Sequence, residues 1–141
     1  MDGQPSDVMR TWFQRVWTER EEHAIYELFP PEGEAHGLGP APIVGPGAFH
    51  QFWVQMHTAF DSLDVRVLDA IDQRDRCYVR CEATGIYRGA LVTFEGGCMA
   101  EIHAGQIRRV WSYWDFVKML TEMSSIPPNA LELALSGVRF A

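Results

Sequence analysis

Near the end of the chain, four residues at alternate positions combine a guanidinium, an indole, a phenol and a carboxylate: Arg109, Trp111, Tyr113 and Asp115. Side chains at alternate positions of a β-strand lie on one face. If that face lines an aromatic pocket, burial favours the protonated form of Asp115, which could then act as a general acid or base. The alternative is structural, because an aspartate directly before an apolar segment is a good helix N-cap.

A second carboxylate, Glu101, lies in the preceding alternating segment, residues 91–103. If it shares a face with Asp115 in a dry pocket, one carboxyl group is protonated while the other stays charged, and the two together can carry out both halves of a proton transfer. The alternative is an ordinary cross-strand ion pair of Glu101 with Arg109 or Arg80. The sequence leaves both interpretations open.

Glycine and proline are concentrated in residues 33–47. We expect a short strand there, Glu34 to Leu38, followed by a loop over the mouth of a pocket. His36 in this strand could orient a carbonyl group or accept a proton; alternatively it is a solvent-exposed loop histidine. The five histidines show neither H-E-x-x-H nor a comparable ligand spacing, so no metal site is predicted.

Two amphipathic helices are predicted, one from Ser6 or Asp7 onward and one over residues 48–60, with a shorter helix over residues 23–29 between them. Their apolar positions are rich in aromatic residues. We expect these helices to face a sheet and to enclose an apolar cavity. The residues predicted to bind substrate in that cavity are Trp17, Trp53, Arg80, Met99 and Trp111.

After the second helix, apolar and polar residues alternate with the period of β-strands. A change of phase at Leu68 predicts a β-bulge in the first strand. Cysteine, valine and alanine form one small apolar face of the second strand, and polar residues form the other. The four long strands are predicted over residues 63–71, 77–84, 91–103 and 106–113.

Helices followed by an antiparallel sheet define an α+β architecture. We therefore predict one domain over residues 1–141, with the helices packed in the concave face of a strongly curved, mainly antiparallel sheet. A short helix follows Asp115, and residues 124–141 form a C-terminal tail.

Composition excludes several classes of function. The net charge is −7 and the twelve Lys and Arg residues are scattered, so we expect no nucleic-acid partner. The chain has neither an apolar stretch of the ~18 residues that a membrane span needs nor a signal-peptide pattern, so we expect no membrane partner and a cytoplasmic location. The three cysteines fit neither a disulfide framework nor a zinc site, and we expect them to be buried.

The last predicted strand resembles the closing strand of SnoaL-like proteins, the polyketide cyclase-like group of the NTF2-like superfamily, whose pattern is roughly G-K-I-x-x-x-W-x-x-x-D. The matching residues are Gly105, Ile107, Trp111 and Asp115. The strand before it resembles the family at Asp75, Val79, Arg80 and Gly85, and the loop before the second helix resembles it at residues 36–39 and 45–47. The similarity spans residues 6 to 123 and implies an NTF2-like cone.

Polyketide cyclases of this family use the equivalent of Asp115 as acid and base in an intramolecular aldol ring closure, without a cofactor. The resemblance therefore implies a cofactor-independent enzyme that acts on a small hydrophobic carbonyl compound. Asp115 would move the proton, Tyr113 and His36 would hold the carbonyl oxygen, and Glu101 or Arg80 would adjust the acidity of Asp115. This chain departs from the cyclase pattern at Met99, Glu101 and Tyr113.

The alternative function is a non-catalytic module for small-molecule binding or dimerisation, in which Asp115 is only a helix cap. In both cases the resemblance implies a homodimer through the open face of the sheet. The tail carries apolar residues that such an assembly could cover: Leu131, Leu133, Leu135, Val138 and Phe140.

Overall fold

The computed structural model describes residues 3–140, so residues 1, 2 and 141 of the predicted domain lie outside the described part of the chain. Five α-helices, one π-helical segment and six strands follow in the order α1 Pro5–Thr11, π-helical segment Trp12–Thr18, α2 Glu22–Leu28, β1 Glu34–His36, β2 Ile43–Val44, α3 Pro46–Ala59, β3 Ser62–Gln73, β4 Arg76–Tyr87, β5 Ala90–His103, β6 Gln106–Trp114, α4 Phe116–Glu122 and α5 Ala130–Leu135.

The N-terminal helix changes its winding halfway along. It begins after Gln4, whose backbone N–H donates to the carboxylate of Asp7 at 2.8 Å, and Pro5 occupies the first turn, where a missing N–H costs nothing. From Trp12 the chain continues as a π-helical segment, although the sequence predicted one regular amphipathic helix. The four buried side chains of this segment are Trp12, Phe13, Val16 and Trp17.

The strands form one six-stranded sheet in the order β2-β1-β6-β5-β4-β3. All neighbouring pairs are antiparallel except β1 and β6, which are parallel. The helix α1 and the π-helical segment pack on one face of this sheet, here called the inner face. The predicted α+β architecture, with the N-terminal helices packed against a mainly antiparallel sheet, is confirmed.

Strand β4 has the two faces that its sequence predicts. Cys77, Val79, Cys81 and Ala83 are buried on the inner face, while the residues between them are exposed or partly exposed. The bulge predicted in β3 is also present, because the pairing register with β4 shifts between Val67 and Asp69. Small side chains on β4 leave space for the large aromatic side chains of the helices.

Strand β6 contains a bulge that the sequence analysis did not anticipate. Glu101 pairs with Arg109, whereas the next residue of β5, Ile102, pairs with Ile107, so Arg108 has no partner across the ladder. Ile107 and Val110, three positions apart, are both buried as a result. An extra residue in one strand reverses the face on which every later side chain lies.

After β6 the chain turns at Asp115 into α4, which packs against β5. The tail ends in α5, of which Ala130 is buried while Leu131 and Leu135 are 64% and 80% exposed. Within residues 3–140, no helix is both long and apolar enough to cross a membrane.

Candidate functional site

A cavity of about 60 Å³ lies between the inner face of the sheet and the helices. Its walls are almost entirely apolar, and aromatic rings from the helices oppose smaller side chains from the strands. The lining residues are Met9, Trp12, Phe13, Trp17, Leu38, Phe49, Phe52, Met56, Leu63, Val65, Ala83, Phe94, Cys98, Val110, Ser112, Trp114 and Phe116.

Besides the three lining tryptophans, whose indole N–H groups are donors, two polar side chains line this cavity. Ser112 Oγ and Cys98 Sγ lie 3.5 Å apart on neighbouring strands, and both residues are buried. Burial raises the pKa of the Cys98 thiol to about 11, so the thiol is neutral near pH 7. Among the described residues that line the cavity, none carries a carboxylate, an imidazole or a cationic group. Of the described lining side chains, Ser112 is the one that carries an oxygen atom, and its hydroxyl can both donate and accept a hydrogen bond, whereas the indole N–H groups only donate.

The lining residues differ in exposure, and the difference locates the mouth of the cavity. Five of them are only partly buried: Leu38, Phe52, Met56, Trp114 and Phe116. The others are buried. These five, here called the rim, come from the loop after β1, from α3, and from the junction of β6 with α4. At these five residues the lining of the cavity reaches the protein surface.

The expectation that Arg109, Trp111 and Tyr113 face the cavity is corrected by the structure. These residues lie on the outer face of the sheet, and Tyr113 is 64% exposed. The physical reason is the bulge at Arg108, which shifts the alternation so that Val110, Ser112 and Trp114 follow Ile107 on the inner face.

Asp115 is exposed at the end of the same strand. Its Oδ1 accepts the backbone N–H of Lys118 at 3.0 Å, which makes Asp115 the N-cap of α4, as the structural alternative had it. Asp115 also borders an open groove on the outer face, together with Tyr113 and Arg80. Three of the predicted site residues are therefore close together, but outside the cavity.

Glu101 takes part in ion pairs on the outer face, which matches the cross-strand alternative. It lies 2.9 Å from Arg76 and 3.6 Å from Arg109. Arg109 also lies 3.6 Å from Glu34, which in turn contacts the ring of His36 at 3.1 Å. This cluster is separated from the cavity by the sheet.

Two more predicted residues adjoin this cluster. The ring of Trp111 stacks on that of His36, with centroids 5.9 Å apart. Met99 is paired with Trp111 across β5 and β6. The expectation that His36, Trp111 and Met99 contact a substrate in the pocket is therefore corrected as well. His36 and Met99 lie on the outer face because their strand neighbours Ala35, Cys98 and Ala100 take the buried face.

The two predicted tryptophans of the helices have different positions. Trp17 lines the cavity, as expected. Trp53 is 7% exposed, donates its indole N–H to the carbonyl of Val16 at 2.8 Å, and is not a lining residue. Trp53 thus holds α3 against the π-helical segment rather than meeting the cavity.

Sequence reasoning missed Ser112, the polar residue that the cavity does present. A signal existed, because Ile107 and Val110 are the two aliphatic residues of β6 and their spacing of three is incompatible with uninterrupted alternation. A bulge between them would have placed Ser112 on the buried face.

The structure gives no arrangement of metal ligands. Within residues 3–140, no cluster of three or more His, Cys, Asp or Glu side chains could hold a metal ion. Cys77 and Cys81 are buried, as predicted, and burial raises the pKa of each thiol to about 12. Thiols with such pKa values are poor nucleophiles near neutral pH.

Comparison with known proteins identifies relatives of the fold. A family model for SnoaL-like polyketide cyclases matches residues 7–123. A search of curated proteins finds no significant match. Among solved structures, IdmH from Streptomyces antibioticus, a polyketide cyclase candidate, is 21% identical with a TM-score of 0.77, covering 86% of this chain and 99% of IdmH.

Two further structures show how varied the proteins of this fold are. A protein of ketosteroid isomerase-like fold from Catenulispora acidiphila, solved with trimethylamine, is 16% identical with a TM-score of 0.74, covering 84% of this chain and 92% of that protein. AclR from Streptomyces galilaeus, a hydroxylase candidate, is 14% identical with a TM-score of 0.72, covering 94% of this chain and 90% of AclR. At such identities the likeness shows the fold, and the activity must be argued from the site.

Proposed function

The chain belongs to the SnoaL-like polyketide cyclase family, and from this premise we propose that it binds a small, neutral, hydrophobic carbonyl compound in the inner cavity and promotes a ring closure or isomerisation there. The observation that carries the proposal is the composition of the cavity wall: apolar and aromatic throughout, with the Ser112 hydroxyl as its main polar group. An apolar pocket with few convergent polar groups is typical of small-molecule sites.

The Ser112 hydroxyl would donate a hydrogen bond to the carbonyl oxygen of the ligand. In an apolar cavity such a bond is stronger than in solution. It would stabilise the negative charge that forms on that oxygen when a water molecule or hydroxide ion from solvent takes the α-proton, because no described lining residue is a base. Water would return a proton to the atom that carries the charge at the end of the reaction. The aromatic walls would hold the rest of the molecule in a compact conformation, which lowers the entropic barrier to a ring closure. No cofactor enters this scheme.

The size of the cavity, about 60 Å³, restricts the ligand. Pockets for drug-sized molecules usually measure about 300–1,000 Å³. A ligand of even moderate size therefore requires the rim side chains to move outward, and a compound with several substituted rings would require more than side-chain motion.

A second candidate function keeps the general acid/base role for Asp115. The observation in its favour is that Asp115, Tyr113 and Arg80 border one groove on the outer face, so a carboxylate, a phenol and a guanidinium could contact one carbonyl compound. In this case the reaction takes place at the outer groove, and the cavity is only part of the core.

The two candidates are separated by titrating the protein with 1-tetralone, a neutral aromatic ketone, and following the indole N–H signals by NMR. We expect saturable shifts of Trp12, Trp17 and Trp114, and a several-fold weaker affinity for Ser112→Ala, because a buried hydrogen bond contributes about 1 kcal/mol. Asp115→Asn, which keeps the cap's shape, should bind 1-tetralone as the wild type does.

The chemistry is tested by incubating the same ketone in D₂O and measuring exchange of its α-protons. Exchange that Asp115→Asn abolishes and Ser112→Ala retains would overturn the cavity proposal in favour of the second candidate. If Ser112→Ala and the wild type bind 1-tetralone with equal affinity, Ser112 does not contact the ligand.

We also propose that the protein is a homodimer through the outer face of the sheet. Support comes from side chains that this face leaves exposed, among them Tyr113 and Ile71, which are 64% and 68% exposed. Apolar surface of this kind is commonly covered in assemblies.

A further inference from the structure

We propose that Leu38 sets the upper size limit of the ligand: a flat aromatic ketone of one ring binds once the Leu38 side chain has rotated, and larger ketones bind more weakly because this rotation does not make enough space for them. The inference rests on the proposed binding of hydrophobic carbonyl compounds in the cavity. It adds the residue that determines specificity and the class of ligand that passes.

The cavity is too small for an aromatic ring as it stands. An engineered apolar cavity of about 150 Å³ binds benzene, whereas the cavity described above measures about 60 Å³. A single aromatic ring therefore fits only if one lining side chain moves. The side chain that moves most easily will decide which ligands bind.

The rim residues differ in how they are anchored. Phe116, the first residue of α4, packs its ring on Phe94 with centroids 6.4 Å apart. Phe52 and Met56 belong to the 14-residue helix α3. Trp114 is fixed by close contact with Gly96, where a Cβ atom would lie 2.5 Å from its ring. Its ring also packs on Phe94, with centroids 5.7 Å apart. Leu38, by contrast, comes from the loop between β1 and β2 and is flanked by two glycines.

The backbone before Leu38 packs closely on β6. Gly37 has φ +90°, a conformation that glycine adopts without strain, and a Cβ atom at this position would lie 2.1 Å from the carbonyl oxygen of Ser112. Only glycine allows the loop to lie this close to β6. The close packing of Gly37 on β6 therefore places the Leu38 side chain at the rim, where its rotation would open space in the cavity.

The walls of the cavity favour flat, uncharged ligands. The cavity holds eight aromatic side chains: Trp12, Phe13, Trp17, Phe49, Phe52, Phe94, Trp114 and Phe116. Several of these rings pack edge to face, for example Trp12 on Phe49 at 4.9 Å and Trp17 on Phe52 at 6.0 Å. A flat aromatic ligand continues this packing. A charged ligand would lose its hydration without a counter-ion among the lining residues.

The test uses three neutral ketones of increasing size, acetophenone, 1-tetralone and anthrone, and measures the dissociation constant of each by NMR titration. For wild type, affinity should fall from acetophenone to anthrone. Leu38→Ala removes three carbon atoms from the mouth, and we expect it to improve the affinity for anthrone relative to acetophenone by about tenfold. The matched control is Leu91→Ala, an equal truncation at a side chain that is 64% exposed outside the cavity.

A second variant keeps the leucine and displaces its backbone. Gly37→Ala should also change the affinity for anthrone relative to acetophenone, because the added Cβ forces the loop away from Ser112. The melting temperature of each variant shows whether it folds.

The outcomes separate this inference from the proposed function. If acetophenone binds the wild type and Leu38→Ala leaves the ratio unchanged, Leu38 does not set the limit, although the cavity still binds ketones. If no ketone shifts the cavity tryptophans in the wild type or in Leu38→Ala, the proposed function fails and this inference fails with it. A ratio that changes equally in Leu91→Ala also overturns it.

Discussion

His57 lies between two tryptophans, with its ring centroid 5.4 Å from Trp17 and 4.6 Å from Trp53. Its Nδ1 accepts a hydrogen bond from Nε of Arg20 at 2.9 Å, which places the imidazole proton on Nε2. Among the described side chains, none pairs with Nε2, which is buried. Burial, and then the charge of Arg20, lowers the pKa of His57 to about 4. Near pH 7 the His57 ring is therefore neutral, and it packs between the π-helical segment and α3.

This environment predicts a pH dependence of stability. Since the pKa in the folded state, about 4, lies below the usual ~6.5, the unfolded state takes up the proton first as pH falls. The contribution of His57 is fully present above pH ~6.5 and is lost progressively towards pH 4, by roughly 1–3 kcal/mol. Chemical denaturation across this pH range should show that the free energy of unfolding falls less for His57→Gln than for the wild type.

The control for this prediction is His103→Gln, because His103 is exposed at the end of β5. Its substitution should leave the pH dependence of the free energy of unfolding as it is in the wild type. If the free energy of unfolding depends on pH equally in His57→Gln and in the wild type between about pH 6.5 and 4, the assigned environment of His57 is contradicted.

At the scale of elements, α4 protects a free edge of the sheet. The last residue of β6, Trp114, pairs with Gly96, so β5 has no strand neighbour on that side before this point. There, Glu122 accepts the backbone N–H of Thr93 at 2.7 Å, and Nζ of Lys118 donates to the Thr93 carbonyl. Glu122 and Lys118 also form an (i, i+4) ion pair at 2.9 Å. Two side chains of α4 thus replace the missing strand.

Removing this contact should loosen α4 locally. We expect Glu122→Ala to accelerate hydrogen exchange of the Thr93 amide and of α4, and to lower the free energy of unfolding by about 1 kcal/mol, since the lost hydrogen bond is only partly buried. Exchange measured by mass spectrometry, with Glu132→Ala on α5 as the matched substitution, tests this. Unchanged protection of Thr93 would show that α4 is held by its other contacts.

At the scale of the whole molecule, the proposed homodimer has two possible surfaces: the outer face of the sheet and the tail. Sedimentation at micromolar concentration should show twice the mass of the chain. Tyr113→Asp places a second charge beside Asp115 on the outer face, and it should shift the equilibrium towards monomer. Leu135→Asp, at an 80% exposed position of the tail, should not. If Leu135→Asp favours the monomer and Tyr113→Asp does not, the interface is formed by the tail. If the wild type is monomeric, the proposed homodimer is wrong.

The fold was largely predictable from the sequence, because it rests on local patterns. Helical spacing of aromatic residues, alternation in the strands and the phase change at Leu68 each depend on neighbours along the chain, and α3 and β3–β6 lie close to where these patterns placed them. The short strand near His36 was also predicted, but not its parallel pairing with β6, which joins residues far apart in sequence.

The candidate site was not predictable in the same way. Alternation divides β6 into two rows but does not say which row is buried, and one extra residue at Arg108 reversed the assignment and moved Asp115, Tyr113 and Trp111 outside. The sequence by itself determined the element types, the α+β order and the family resemblance, since these are encoded locally. Only the tertiary structure decided which side chains share the cavity, because strand register and helix docking are set by contacts between distant residues.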